Sequence, residues 1–139
     1  MRALFLISQY VFGAWWLYSG LNPWFHFFEQ PYGDTAIAIE YTRALENSGL
    51  LHIVKVMEVV QGVMILTGFM MPLAVATALP LSVMIAHWNF ILTPGTVEIV
   101  FGALTLGFNM ILMFAYWSYF KPFFTLKGKL EPAFQKKQK

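Results

Sequence analysis

Four stretches of the chain run almost wholly apolar, and each keeps its few polar or small residues on one helical face. They cover 3–21, 50–71, 72–90 and 97–120, and a helix needs about 20 such residues to cross a bilayer. The first is closed by Asn22-Pro23. The second and third meet at Met70-Met71-Pro72 almost without a loop, which predicts a tight antiparallel hairpin. Thr93-Pro94-Gly95-Thr96 makes the turn into the fourth. In the second stretch Lys55, Glu58 and Gly62 follow an i, i+3, i+7 spacing, and so share one face. Glu98, Gly102, Thr105 and Asn109 do the same in the fourth, and Gln9, Gly13, Trp16 and Gly20 line up in the first. In the third, Ala74, Ala78, Ser82 and Ala86 recur every four residues, the small-residue repeat that lets membrane helices approach closely.

The connection 22–49 is different. Ile37, Ala38, Tyr41, Ala44 and Leu45 fall on one helical arc, with Glu40, Arg43, Glu46 and Asn47 opposite. Asp34 is placed to start such a helix and Gly49 to end it. The pattern predicts a short amphipathic helix over about 35–48, lying on the membrane surface or plugging the mouth of the bundle. A helical loop that only connects fits the same residues. The expected fold is all-α: a four-transmembrane-helix bundle over 1–120, with this interfacial helix between spans one and two.

Composition sharpens the class. Of 139 residues 58% are hydrophobic, 18% aromatic and only 12% charged, about half the charge of an ordinary soluble domain. A chain this short has too little interior to hide so much apolar surface, so the surplus faces lipid. Six of the nine basic residues lie in 121–139. A lysine-rich tail after a span is a topology signal toward anionic cytoplasmic lipid rather than a nucleic-acid arm. With Arg2 at the other end, it predicts both termini in the cytoplasm. Met1 and Arg2 also open an apolar run, but no small-residue cleavage site follows, so a retained first span is expected. The absence of cysteine excludes disulfide relays, thiolate metal sites and cysteine nucleophiles.

Candidate chemistry gathers in the second span. An unpaired charge at the centre of a membrane helix costs about 2.5–3.5 kcal/mol on insertion scales, so it turns inward and seeks a partner. Lys55 and Glu58 can pair on their own helix. His52, Lys55, Glu58 and Gln61, with His87, Asn89 and Glu98 from the next two spans, are expected at similar depth beneath the interfacial helix. That convergence suggests a polar pocket opening outward, with Trp16 in its wall. Plainer readings stand beside it. The Lys55–Glu58 pair can be a purely structural lock, Glu98 suits the first turn of a helix in any case, and both histidines can be interface residues. Gly62, Ala74, Ala78, Ser82, Ala86 and Gly102 are read as packing positions. A b-type haem between His52 and His87 is disfavoured by the scarcity and edge position of histidine. No metal-binding spacing appears.

The stretch "KVMEVVQGVMILTGFMMPLAVATALPLSVMIAHW" resembles the DoxX family of small bacterial membrane proteins. The resemblance covers roughly 45–120 and is carried by Lys55, Glu58, Gly62, Gly68, Pro72-Leu73, Pro80 and His87. Many relatives have a second glycine just before Gly62, where this chain has Gln61. The resemblance implies a four-helix bundle in the bacterial inner membrane, associated with quinol-linked or oxidative-stress redox chemistry. The expectation is an accessory subunit of a membrane redox assembly, with the pocket taking a quinone-like head group. Lys55 would donate to a carbonyl oxygen, while Glu58 and His87 would exchange protons. Two other roles remain open: a ligand-free assembly subunit docking on a larger complex or on itself, and a small-solute carrier. Independent catalysis is the poorest fit, since no nucleophile–base pair is evident.

Overall fold

The computed structural model describes residues 1–124, and every regular element among them is helical. Helix α1 spans Arg2–Phe25, α2 Ala36–Asn47, α3 Leu50–Thr67, α4 Met71–His87, α5 Thr96–Ala115 and α6 Trp117–Phe120. A π-helical turn, Trp88–Leu92, extends α4, and a 3-10 turn, Lys121–Phe124, follows α6. The basic tail beyond 124 lies outside the described residues.

Among the described residues three segments are long and apolar enough to cross a membrane: Leu50–Thr67, Met71–Leu92 and Thr96–Ala115. Helix α1 is longer, at 24 residues. Its serines, glycines, Gln9, Asn22, tryptophans and tyrosines dilute its hydropathy, so length and composition do not set it beside the other three.

Several boundaries move from those the sequence suggests. α1 continues through Asn22-Pro23 to Phe25. Proline so near a helix end removes only one backbone hydrogen bond, and Asn22 manages the exit. Its carbonyl accepts from the His26 N–H at 2.8 Å, and its Oδ1 accepts from the Phe28 N–H at 2.9 Å. α3 stops at Thr67, because Gly68 takes a left-handed φ of 73°. The Gly68 N–H then bonds the Ile65 carbonyl and the Phe69 N–H the Met64 carbonyl, a Schellman ending. α5 stops at Ala115, and a break at Tyr116 separates the expected end of that span as α6.

The four long helices close a ring in which α1 packs on α3 and α5, and α4 packs on the same two. The α1–α3 seam is the most extensive, since glycines face it from both sides. A Cβ on Gly20 would fall 2.7 Å from the Val59 backbone nitrogen, and one on Gly62 would fall 2.7 Å from that of Leu17. Gly102 lies similarly close against Asn89 and Phe90 of the π-helical turn. Ala74, Ala78, Ser82 and Ala86 are all buried, and Asn109 of α5 donates to the Val75 carbonyl at 3.3 Å. Each expected packing position is therefore interior.

Polarity is inverted relative to a water-soluble bundle. Ser8, Lys55, Glu58, Gln61, Ser82, Asn89, Thr105 and Asn109 are buried, whereas Ile53, Val56, Val60, Val63, Val100 and Leu104 face outward. Such an apolar exterior belongs in hydrocarbon, and among the described residues Ser8 Oγ, Ser82 Oγ and Asn109 Oδ1 are buried without a hydrogen-bond partner.

The short helix α2 forms where the amphipathic pattern predicts it, with two corrections. Its N-cap is Thr35 rather than Asp34, and the Thr35 hydroxyl accepts from the Ala38 N–H at 3.2 Å. Gly49 ends the helix as expected: with φ 76° it directly follows the C-cap Ser48, its N–H bonds the Glu46 carbonyl at 3.0 Å, and it is also the residue before α3. The inward face is also turned by about one residue: Ala38 and Thr42 are buried, Tyr41 and Leu45 half-buried, and Ile37 and Ala44 exposed. The phase is set by the surface α2 covers, because the Trp88 indole N–H donates to Thr42 Oγ1 at 3.3 Å. The Thr35 hydroxyl also donates to the Leu92 carbonyl at 2.6 Å, tying the start of α2 to the end of the π-helical turn.

A candidate ligand cavity under helix α2

Beneath α2 and the 28–31 loop lies a cavity of about 420 Å³, within the usual range of small-molecule sites. Every long helix contributes to it. The aromatic wall is Trp15, Phe28, Tyr41, Trp88 and Phe101, and the polar groups are Ser19, Thr42, Lys55, Glu58, Asn89, Glu98 and Thr105, with Glu29 and Gln30 at the loop.

At its centre Lys55 bonds Glu58 Oε2 at 2.9 Å and Ser19 Oγ at 2.9 Å. Lys55 is 6% exposed and Glu58 2%. The helical spacing explains the pair, since residues three apart on α3 share a face. The third partner comes from α1, brought close by the glycine seam. An ammonium has three N–H donors, and two of them meet Ser19 and Glu58, so one remains for the cavity. Glu58 lies about 12 Å along α3 from Leu50, at 1.5 Å per residue.

Two further groups face the cavity with capacity left. Thr105 is buried, lines the cavity, and makes no hydrogen bond among the described residues. Asn89 donates to the Ile85 carbonyl at 2.7 Å, which leaves its own carbonyl oxygen available. Thr67 and Thr77, on outer faces, bond instead to carbonyls of their own helices.

Of the seven polar residues expected to converge, Lys55, Glu58, Asn89 and Glu98 line the cavity. Gln61, His52 and His87 do not. Gln61 is buried one turn below Glu58 and accepts from the Trp16 indole N–H at 2.7 Å, so it belongs to the α1–α3 seam. Trp16 therefore sits in the core, and its neighbour Trp15 forms the wall. His52 is exposed, edge-on to Trp24 with ring centroids 5.1 Å apart. His87 is exposed too, because Met84, Ile85, Trp88 and Asn89 take up the inward face of α4 and its extension. The two imidazoles thus lie outside the cavity, and the proton-exchange role read for His87 has no access to it.

The carboxylate of Glu98 folds back over Gly95 at the start of α5, as its first-turn position suggests. The sequence reading missed Ser19, Trp15 and the loop residues. Trp15 and Ser19 are four apart on α1, a signal masked by the stronger Gln9-Gly13-Trp16-Gly20 stripe. The loop follows no helical period at all. On the outer side of α2, Tyr32 donates to Glu46 Oε2 at 2.6 Å. That bond to a carboxylate raises the phenol above its ordinary value, with smaller contributions from burial and from the Glu46 charge.

Among the described residues no three His, Asp or Glu side chains gather in a way that could hold a metal ion. The cavity offers an ammonium N–H, the Thr105 hydroxyl, the Asn89 amide carbonyl and the carboxylates of Glu29, Glu58 and Glu98 between flat aromatic walls. It suits an amphiphilic molecule bearing a ring. No family model, curated protein or solved structure matches the chain.

Proposed function

We propose that the chain is a four-span, multi-pass membrane protein whose cavity binds a quinone-like head group, acting as an accessory subunit of a redox assembly in the bacterial inner membrane. The observation that carries the binding role is Lys55, which lines an aromatic-walled cavity under α2 and keeps one N–H beyond those given to Ser19 and Glu58. A ring carbonyl would accept from Lys55 while Trp15, Trp88 and Phe101 pack on the ring faces. Glu58 holds the ammonium in place. In this reading α1 is the fourth span, supported by its long seam with α3 and by Leu4, Leu6, Ile7 and Val11 on its outer side. An even number of spans puts both termini on one side, and Arg2 with the basic residues of 121–139 favours the cytoplasm for that side, which leaves α2 on the outer face. The redox theme rests on the DoxX resemblance of Lys55, Glu58, Gly62 and the Gly68–Pro72 hairpin.

Trp15 and Trp88 line the cavity, so a chainless dimethoxy-benzoquinone added to protein in mild detergent reports by tryptophan quenching. Saturable quenching is expected. A variant carrying both Lys55→Met and Glu58→Leu, which keeps the volume and removes both charges, is expected to bind at least tenfold more weakly. Equal quenching in the two proteins would mean that the ion pair does not recognise the ring.

A second reading has its own observation. Lys55 bonds α1 through Ser19 as well as its own helix, so the trio can serve as a lock within an assembly subunit that binds no small molecule. Co-purification with a partner in fixed stoichiometry, with no lipid-soluble compound extracted, distinguishes it.

A further inference from the structure

The main cavity has a neighbour. A second hollow of about 140 Å³ lies between α1 and α5, bounded by Val11 and Phe12 on one side and Leu104 and Phe108 on the other. Trp15, Phe101 and Thr105 line both hollows, so the two share a boundary. The α5 side runs Phe101, Leu104, Thr105, Phe108, an i, i+3, i+4, i+7 face extending about 10 Å along the helix.

The two hollows differ in chemistry. The larger holds Lys55, Glu58, Asn89 and Glu98, whereas the smaller has Thr105 alone as a polar group, at the junction. Val11 is 47% exposed, Phe101 44% and Leu104 48%, so the smaller hollow opens on the outside of the bundle. That outside belongs to α5, one of the segments apolar enough to cross a membrane. The smaller hollow is therefore a groove that adjoins the polar chamber, opens toward hydrocarbon and has no charged residue in its lining.

We propose that the two hollows are one site for a single-chain amphiphile. Its polar ring or head group occupies the chamber against Lys55 and Thr105, and its hydrocarbon chain leaves between α1 and α5 into the bilayer. The proposal rests on the ligand-binding reading above and adds the chain, its exit and the contact at Thr105. A chain in the groove covers Leu104, Phe108 and Val11, and it marks the α1–α5 side as the route of entry from lipid.

The test uses the whole protein in nanodiscs with two probes, a dimethoxy-benzoquinone bearing a decyl chain and the same ring without it. Affinities are expressed per lipid, which removes the gain from partitioning. The decyl compound is expected to bind at least tenfold more tightly than the bare ring. Leu104→Trp, which fills the groove, should abolish that advantage and leave the bare ring's affinity unchanged. Val100→Trp, on the outer face of α5 but away from the groove, should change neither. Equal affinities of the two probes for the unaltered protein, or an advantage that survives Leu104→Trp, would overturn the chain site and leave the chamber reading standing. Failure of both probes to bind the unaltered protein would overturn both.

Discussion

The Trp16 indole N–H donates to Gln61 Oε1 at 2.7 Å, joining α1 to α3 in the buried core. Gln61→Ala is therefore expected to leave a buried N–H unpaired and to cost about 1–3 kcal/mol. Trp16→Phe in the same background removes the orphaned donor and should add much less than it does alone. Thermal unfolding of the four proteins in one detergent measures the coupling, and simple additivity would refute the bond's role.

Breaking the Lys55–Glu58 pair from one side should be worse than removing it whole. Lys55→Met leaves the Glu58 carboxylate buried without its cation, and loss of one partner from a buried pair costs about 3–5 kcal/mol. Adding Glu58→Leu should recover most of the loss. A double variant no more stable than Lys55→Met alone would show that the cost lies in lost packing rather than in an uncompensated charge.

Three glycines offer a graded contrast. Ala at Gly20 or Gly62 would bring a Cβ to 2.7 Å from a backbone nitrogen of the facing helix. Only separation of α1 from α3 relieves that, so each substitution is expected to cost about 1–3 kcal/mol. At Gly107 nothing lies within 4 Å of a new Cβ, and in mid-helix Ala should stabilise by about 0.5–1 kcal/mol. Unfolding midpoints that fall for the first two and rise for the third would match the seam described above. A harmless Gly62→Ala would not.

Thr35 anchors α2 twice, as its cap and through the Leu92 carbonyl. Thr35→Ala is expected to cost about 1 kcal/mol at the cap and to speed amide hydrogen exchange along Ala36–Asn47, with α3 and α5 little changed. Exchange that accelerates throughout the bundle would show that α2 does not open independently of it.

Much was settled along the chain itself. A surplus of apolar residues over what so short a chain can bury determined that the helices face lipid. Helical period then determined which side of each points inward, so Lys55, Glu58, Gly62, Gly102, Thr105 and Asn109 could be assigned to the interior. The period of α2 was equally legible, though its phase was not. Ala44 and Leu45 are neighbours on one arc, and only the surface beneath, through Trp88 and Thr42, chose between them.

Tertiary structure alone decided which inward residues share a space. Lys55, Glu58 and Gln61 lie within two turns on one helix, yet the first two border the cavity and the third meets Trp16. Axial rotation within the ring separates them, and it is set by Gly20 and Gly62 letting backbones approach across the α1–α3 seam. His87 and Asn89 sit at matching depth but part company for a related reason: the π-helical turn, with Met84, Ile85 and Trp88, commits one side of α4 to the cavity. A period reports direction relative to one helix axis. Only packing relates the axes to one another, and a ligand site needs that relation.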